Sequence, residues 1–166
     1  MKPKGVIIFN MKPKGVILTT KRSVMMRDQN RIKDIEQKVI IEAPIQKVWE
    51  KVANAEGIAA WFMPNDFKAE VGYEFHLQSP FGPSPCRVLE IDEPHKLSFS
   101  WDTDGWFVSF LLKDLDGKTE FTLIHGGWKE ENEIVPKAGE QASVIRDRMN
   151  QGWIGITDKL KKVVEG

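Results

Sequence analysis

Apolar positions recur along the chain with two different periods, and the period changes several times. From Ile35 to Glu42 apolar and polar residues roughly alternate, which predicts a strand. Ala43-Pro44 then opens a helix, with proline suited to a first turn, and Ile45, Val48, Trp49 and Val52 recur at helical spacing. A second short helix is predicted over Glu56–Phe62, stopping near Pro64. Strand patterns follow at about 66–71, 73–79, 86–92, 96–101, 106–114 and 118–125. Breaks fall at Gly72, the run PFGPSP at 80–85, Pro94, Gly105, Gly117 and Gly126-Gly127. Polar residues 129–140 read as a loop. A long helix over roughly 140–164 closes the chain, its stripe being Ile145, Met149, Trp153, Ile156, Leu160 and Val163.

The order is therefore strand, two short helices, about six strands and a long helix. Hairpin-length links favour an antiparallel sheet, and a sheet apolar on one face must bury it. The striped terminal helix is the obvious cover, which gives a two-layer α+β domain.

The stretch LSFSWDTDGWFVSFLL, residues 97–112, sharpens that layout. Pairing Trp101 with Trp106 across an even-length turn sets Phe99 against Val108 and Leu97 against Phe110, all on one face. Ser98, Ser100, Phe107 and Ser109 take the other. A three-residue loop would put the two tryptophans on opposite faces. The same alternation groups Tyr73, Phe75 and Leu77, and then Phe121, Leu123 and His125.

Composition adds limits. The chain has 166 residues, 41% hydrophobic and 29% charged, which suits one globular domain. Cys86 is the single cysteine and cannot form an internal disulfide, so a cytoplasmic setting is expected. No apolar run approaches the roughly 20 residues of a membrane span, and no signal-peptide pattern opens the chain. The formal net charge of +0 divides unevenly: residues 1–34 carry nine Lys/Arg against two Asp, a net +7, leaving 15 basic and 22 acidic residues beyond them. Within residues 1–34, MKPKGVII is followed by MKPKGVIL, and two copies are too few for a solenoid. We place a boundary at residue 34. The basic extension before it reads as a poorly ordered tail, with an added strand pair or a basic arm as alternatives.

Four pieces of the remainder carry a family resemblance: IEAPIQKVWEKVANAEGIAAWF at 41–62, VLEIDEPHKLSFSW at 88–101, KTEFTLIHGGW at 118–128 and QGWIGITDKLKKVV at 151–164. In this order and spacing they resemble the activator of heat-shock-protein-90 ATPase homologue-like family of the START-like (SRPBCC) superfamily, over about residues 35–164. The resemblance implies a helix-grip fold, a curved antiparallel sheet of six to seven strands around a long C-terminal helix. It also implies a cavity between sheet and helix that often takes an apolar small molecule. Relatives include lipid and polyketide binders, aromatase/cyclases and stress-related proteins.

The register supplies candidates for such a pocket: Phe75, Phe99, Trp101, Trp106, Phe110, His125, Met149 and Trp153, with Trp61 and Phe62 as a rim. Aromatic rings give stiff contact area, and an indole N–H can orient a ligand's oxygen. Phe99 and Phe110, being mid-strand, better suit an ordinary core, whereas Trp101 and Trp106 end their strands near the cavity mouth. Gly152 and Gly155 weaken the last helix by about 1 kcal/mol each, and either let it approach the sheet or leave room for a ligand.

Chemistry is sparse by comparison. His76, His95 and His125 are scattered, without metal-ligand spacing, and no catalytic residue, metal or cofactor is expected. His76 should face outward, His95 should cap backbone in a turn, and Cys86 should be an inert strand residue. Glu90 and Asp92 should be solvated, with Leu89 and Ile91 turned inward. Gly126-Gly127 suggests a bulge. The charge pattern argues against nucleic acid. Phe67 and Phe107, if exposed, leave room for a weak dimer.

Three functions are therefore expected in order: binding of a small hydrophobic molecule, lipid-like or aromatic; a chaperone-partner role, as the family name implies; and cyclase-type catalysis using His125 as acid or base. For the second, residues 1–34 are too short to be the separate N-terminal domain that contributes to chaperone binding in eukaryotic members.

Overall fold

A computed structural model describes residues 32–166, apart from 81, 131 and 137. The readings of the repeat and of the basic extension fall almost wholly on residues 1–31, outside the described residues.

Strand β1 (Ile35–Ile41) is followed by helices α1 (Ile45–Val52) and α2 (Ala55–Trp61). Pro44 precedes α1 in extended conformation, and Asn54 caps α2, its side chain accepting from the Gly57 N–H at 3.0 Å. Then come β2 (Glu74–Ser79), β3 (Gly82–Asp92), β4 (Lys96–Trp101), β5 (Trp106–Asp114) and β6 (Thr119–Gly126). A two-residue pair, β7 (Ile134–Val135) and β8 (Glu140–Gln141), leads into the long helix α3 (Ala142–Glu165). Among the described residues the main sheet has six strands in the order β1-β6-β5-β4-β3-β2, with antiparallel pairing throughout. This is the helix-grip α+β fold.

The central hairpin pairs Trp101 with Trp106, Phe99 with Val108 and Leu97 with Phe110, the register expected from its alternation. Its inward side chains are buried except Trp106, which is half-buried. Ser98 and Ser109 face each other on the outer side, their hydroxyls 2.7 Å apart in a shared hydrogen bond. Inward residues Phe75, Leu77, Phe121, Leu123 and His125 complete the same core face. Against it lies α3, burying Ile145, Trp153, Leu160 and Val164. Met149, Ile156 and Val163, expected in the same stripe, are only half-buried.

Polar ties hold α3 along β1. Gln37 Nε2 donates to Asn150 Oδ1 at 2.6 Å, and Lys161 Nζ donates to the Ile40 carbonyl at 2.7 Å. Arg146 donates to the Lys33 and Asp34 carbonyls at 2.8 and 3.2 Å.

Five expectations need correction. Residues 66–71 form no strand; only Asn65 bridges to Leu77. The Asn65 side chain binds the Ala55 and Met63 carbonyls and the Phe67 N–H, holding a turn in place of a ladder. Strand β3 begins at Gly82, inside the run read as a break. Leu89 is 48% exposed, because a bulge between Val88 and Glu90 inserts it as an unpaired residue. Gly126-Gly127 makes no bulge, since the β5–β6 register runs unbroken to Phe107 and Gly126. Gly127 is there for space: its φ is +84°, and a Cβ would lie 2.0 Å from the Gly105 carbonyl oxygen. Finally, Phe67 is buried and Phe107 half-buried, so neither presents an open dimer surface.

Candidate functional site

One end of the sheet carries a knot of aromatic rings. The rings of Trp101 and Trp106 meet edge to face with centroids 5.7 Å apart, as the β4–β5 register requires. Phe62, just after α2, packs on Trp101 at 5.8 Å and on Trp153 of α3 at 5.0 Å. Such pairs contribute about 0.5–1.5 kcal/mol each beyond their buried area.

His125 sits inside this knot, fully buried, with Trp101, Trp106, Trp128 and Trp153 around it. Trp153 Nε1 donates to His125 Nδ1 at 3.0 Å, so Nε2 carries the ring's hydrogen. Nε2 has no hydrogen-bond partner among the described residues. Burial, with a smaller push from the Arg146 charge, drives the imidazole pKa down to about 3. The ring is thus a neutral acceptor at pH 7. Trp128 Nε1 donates to the His125 carbonyl at 3.0 Å, tying the following loop to the same point.

Beside the knot is a cavity of about 210 Å³. Its sheet wall is Trp101 and Trp106, with Ser84 of β3 and Asp102. Phe62 and Met63 close the side next to α2, and Ser79 and Pro80 border it at the β2–β3 turn. Val135 and Ala138 cover it from the β7–β8 ribbon. Helix α3 contributes Ile145, Arg148, Met149, Gly152, Trp153 and Ile156. A Cβ on Gly152 would meet nothing within 4 Å, so this glycine leaves open space rather than permitting close packing. Gly155 likewise has open space above it but does not border the cavity.

Arg148 and Asp102 are the charged members of that lining. The Arg148 guanidinium donates twice to Glu140, at 2.7 and 3.2 Å, pinning α3 to β8. Hydrogen bonds from Arg148 hold the Glu140 carboxyl below its ordinary range.

Of the sequence-predicted pocket residues, Trp101, Trp106, Met149 and Trp153 border the cavity, as does Phe62 of the expected rim. Trp61, Phe75, Phe99 and Phe110 do not; they are buried in the core, because mid-strand and helix positions are filled by their neighbours. Trp61 packs on Phe110 and Phe121 and spends its N–H on the Lys51 carbonyl at 2.8 Å. His125 does not border the cavity either, being screened by Trp101, Trp106 and Trp153. Ile145, Arg148 and Ile156 were open to the helical period, since they fall three or four residues from Met149, Gly152 or each other. Val135 and Ala138 lie in a stretch that reads as polar loop, and no periodic signal marks them.

Among the described residues no group of His, Cys, Asp and Glu side chains could hold a metal ion. No described helix is long and apolar enough to cross a membrane. His76 is exposed beside Asp66, and Cys86 is buried opposite Trp101.

Residues 42–165 match the family model described as Activator of Hsp90 ATPase homolog 1-like protein. No functionally curated protein matches the chain. The solution structure of a Bacillus halodurans protein is similar at 52% identity with a TM-score of 0.77, covering 82% of this chain and 99% of that one. A Mesorhizobium loti crystal structure is similar at 22% identity and TM-score 0.67, covering 80% and 96%. The Aha1 dimer from Colwellia psychrerythraea gives 18% identity and TM-score 0.66, covering 81% and 97%. These last two speak for the fold alone. With sheet, grip helix and family model in agreement over residues 42–165, the chain belongs to the activator of Hsp90 ATPase homolog 1-like family, within the START-like superfamily.

Proposed function

We propose that the protein binds a small, mainly apolar molecule in the cavity between the sheet and α3. The observation that carries this is the volume itself. Side chains at this end of the domain pack tightly enough to bury His125 completely, yet about 210 Å³ stays open beside them. Interiors pack at crystal-like density, and an apolar void of about 150 Å³ already accepts a benzene-sized guest. The space thus suits a ligand somewhat larger than one ring and smaller than a typical drug. Four of the bordering residues are tryptophan or phenylalanine, which present flat faces for stacking.

Nothing in this reading needs proton transfer. His125, the one candidate base, is screened from the cavity and stays neutral far below pH 7. The binding reading is tested by native mass spectrometry of protein purified from its own host. A co-purifying mass of a few hundred daltons, lost on mild activation, supports it; uniformly empty protein counts against it.

A second reading follows from family membership: the domain acts on a chaperone of the Hsp90 type. Adding the purified protein to an Hsp90 ATPase assay decides it, since an unchanged turnover rate removes this reading and leaves the cavity reading untouched.

A further inference from the structure

We infer that the cavity's ligand carries a carboxylate, and that Arg148 receives it at the cavity's edge. This rests on the cavity being a ligand site and adds the chemical class of what enters it. Arg148 lies one helical turn before Gly152 on α3, and both border the cavity. Where Gly152 leaves its side of the helix bare, the neighbouring turn carries Arg148. A molecule lying in the cavity with its apolar body against Trp101, Met149 and Trp153 therefore lies beside the Arg148 side chain of α3.

The Arg148 fork is already in carboxylate-binding geometry. Two of its nitrogens donate to the two oxygens of Glu140. A guanidinium has five N–H donors in a plane, so the Glu140 contacts leave donors for a second carboxylate, or yield to it. Glu140 acts as the resident occupant, and a ligand carboxylate competes with it. The other charged lining residue is Asp102, an anion at the end of β4 with positive φ, whose backbone N–H is held by the Pro85 carbonyl at 2.8 Å. It would favour an amine, so the acid and the amine make opposite predictions.

The experiment titrates the full-length protein with three probes that share one apolar body: 4-phenylbutyrate, 4-phenylbutanol and 4-phenylbutylamine. Isothermal calorimetry reads the affinities for wild type, Arg148→Gln, Glu140→Gln and Ile145→Phe. In wild type the acid should bind about fivefold tighter than the alcohol, or better. Arg148→Gln should abolish that ratio, whereas Glu140→Gln should raise it. Both variants break the same ion pair, so a merely structural role for the pair would shift the two ratios alike. That outcome, or an acid-to-alcohol ratio near one in wild type, overturns the inference. Tighter binding of the amine overturns it in favour of Asp102. If none of the probes binds wild type, or if Ile145→Phe, which projects a ring into the cavity, binds them all as wild type does, the cavity reading itself fails and this inference with it.

Discussion

Trp153 on the last helix and His125 on the last long strand are joined by one hydrogen bond, Nε1 to Nδ1 at 3.0 Å, in a place with no solvent access to the imidazole. The bond joins the grip helix to the sheet and fixes the histidine's tautomer. It also spends the indole donor inside the core, leaving the Trp153 ring to form part of the cavity wall.

Stability should begin to fall on acidification from just below neutral pH. The folded His125 takes up a proton only near pH 3, while the unfolded chain's histidine does so near 6.5. Its folded pKa is depressed, so between these values the unfolded state binds the extra proton and stability drops as pH falls. The slope approaches about 1.4 kcal/mol per pH unit below pH 6.5. The lowered Asp66, Glu140 and Glu165 add losses only below about pH 4.5. Urea denaturation between pH 7 and 5 should show the slope, and the His125 ring resonance should not titrate over that range.

Trp153→Phe keeps a ring but deletes the donor to His125. A buried acceptor left unpaired costs about 1–3 kcal/mol, to which the lost ring volume adds. The urea midpoint should drop accordingly, with far-ultraviolet circular dichroism unchanged.

Two glycine-to-alanine changes should have opposite signs. Gly127→Ala forces a Cβ into the Gly105 carbonyl at positive φ and should cost at least about 2 kcal/mol. Gly152→Ala adds a methyl group in open space on a helix and should stabilise by up to about 1 kcal/mol. Thermal melts of the two variants read the signs directly.

Core and wall positions should separate as well. Phe110 is fully buried, so Phe110→Ala should cost about 3–5 kcal/mol. Met149, half-buried beside empty volume, already lacks contacts on one side, so Met149→Ala should cost less than about 2 kcal/mol. Equal losses in equilibrium denaturation would refute this division.

The sequence carried the fold because its signals were periodic. Alternation alone set Trp101 opposite Trp106, since a one-residue slip would have turned a whole aromatic face outward. Leu89 escaped for the converse reason: one bulge residue breaks the period, and alternation has no term for it. The site was legible by halves. Sorting inward from outward residues found Trp101, Trp106, Met149 and Trp153, and mid-strand position set Phe99 and Phe110 apart as core, but nothing in the pattern separated Phe75 deeper in the same face. That distinction depends on which inward side chains lack an opposing neighbour. Here the missing neighbour is Gly152 on another element, and the cover is Val135 and Ala138 on a ribbon too short to show a period.

The measurement closest to the central claim is a calorimetric titration of 4-phenylbutanol, a neutral probe, into wild type and into Gly152→Leu and Ile145→Phe, each first shown to be folded. The account predicts saturable one-to-one binding by wild type and a loss of about tenfold or more in both cavity-narrowing variants. Absence of binding to wild type, or equal affinity in all three proteins, would contradict it.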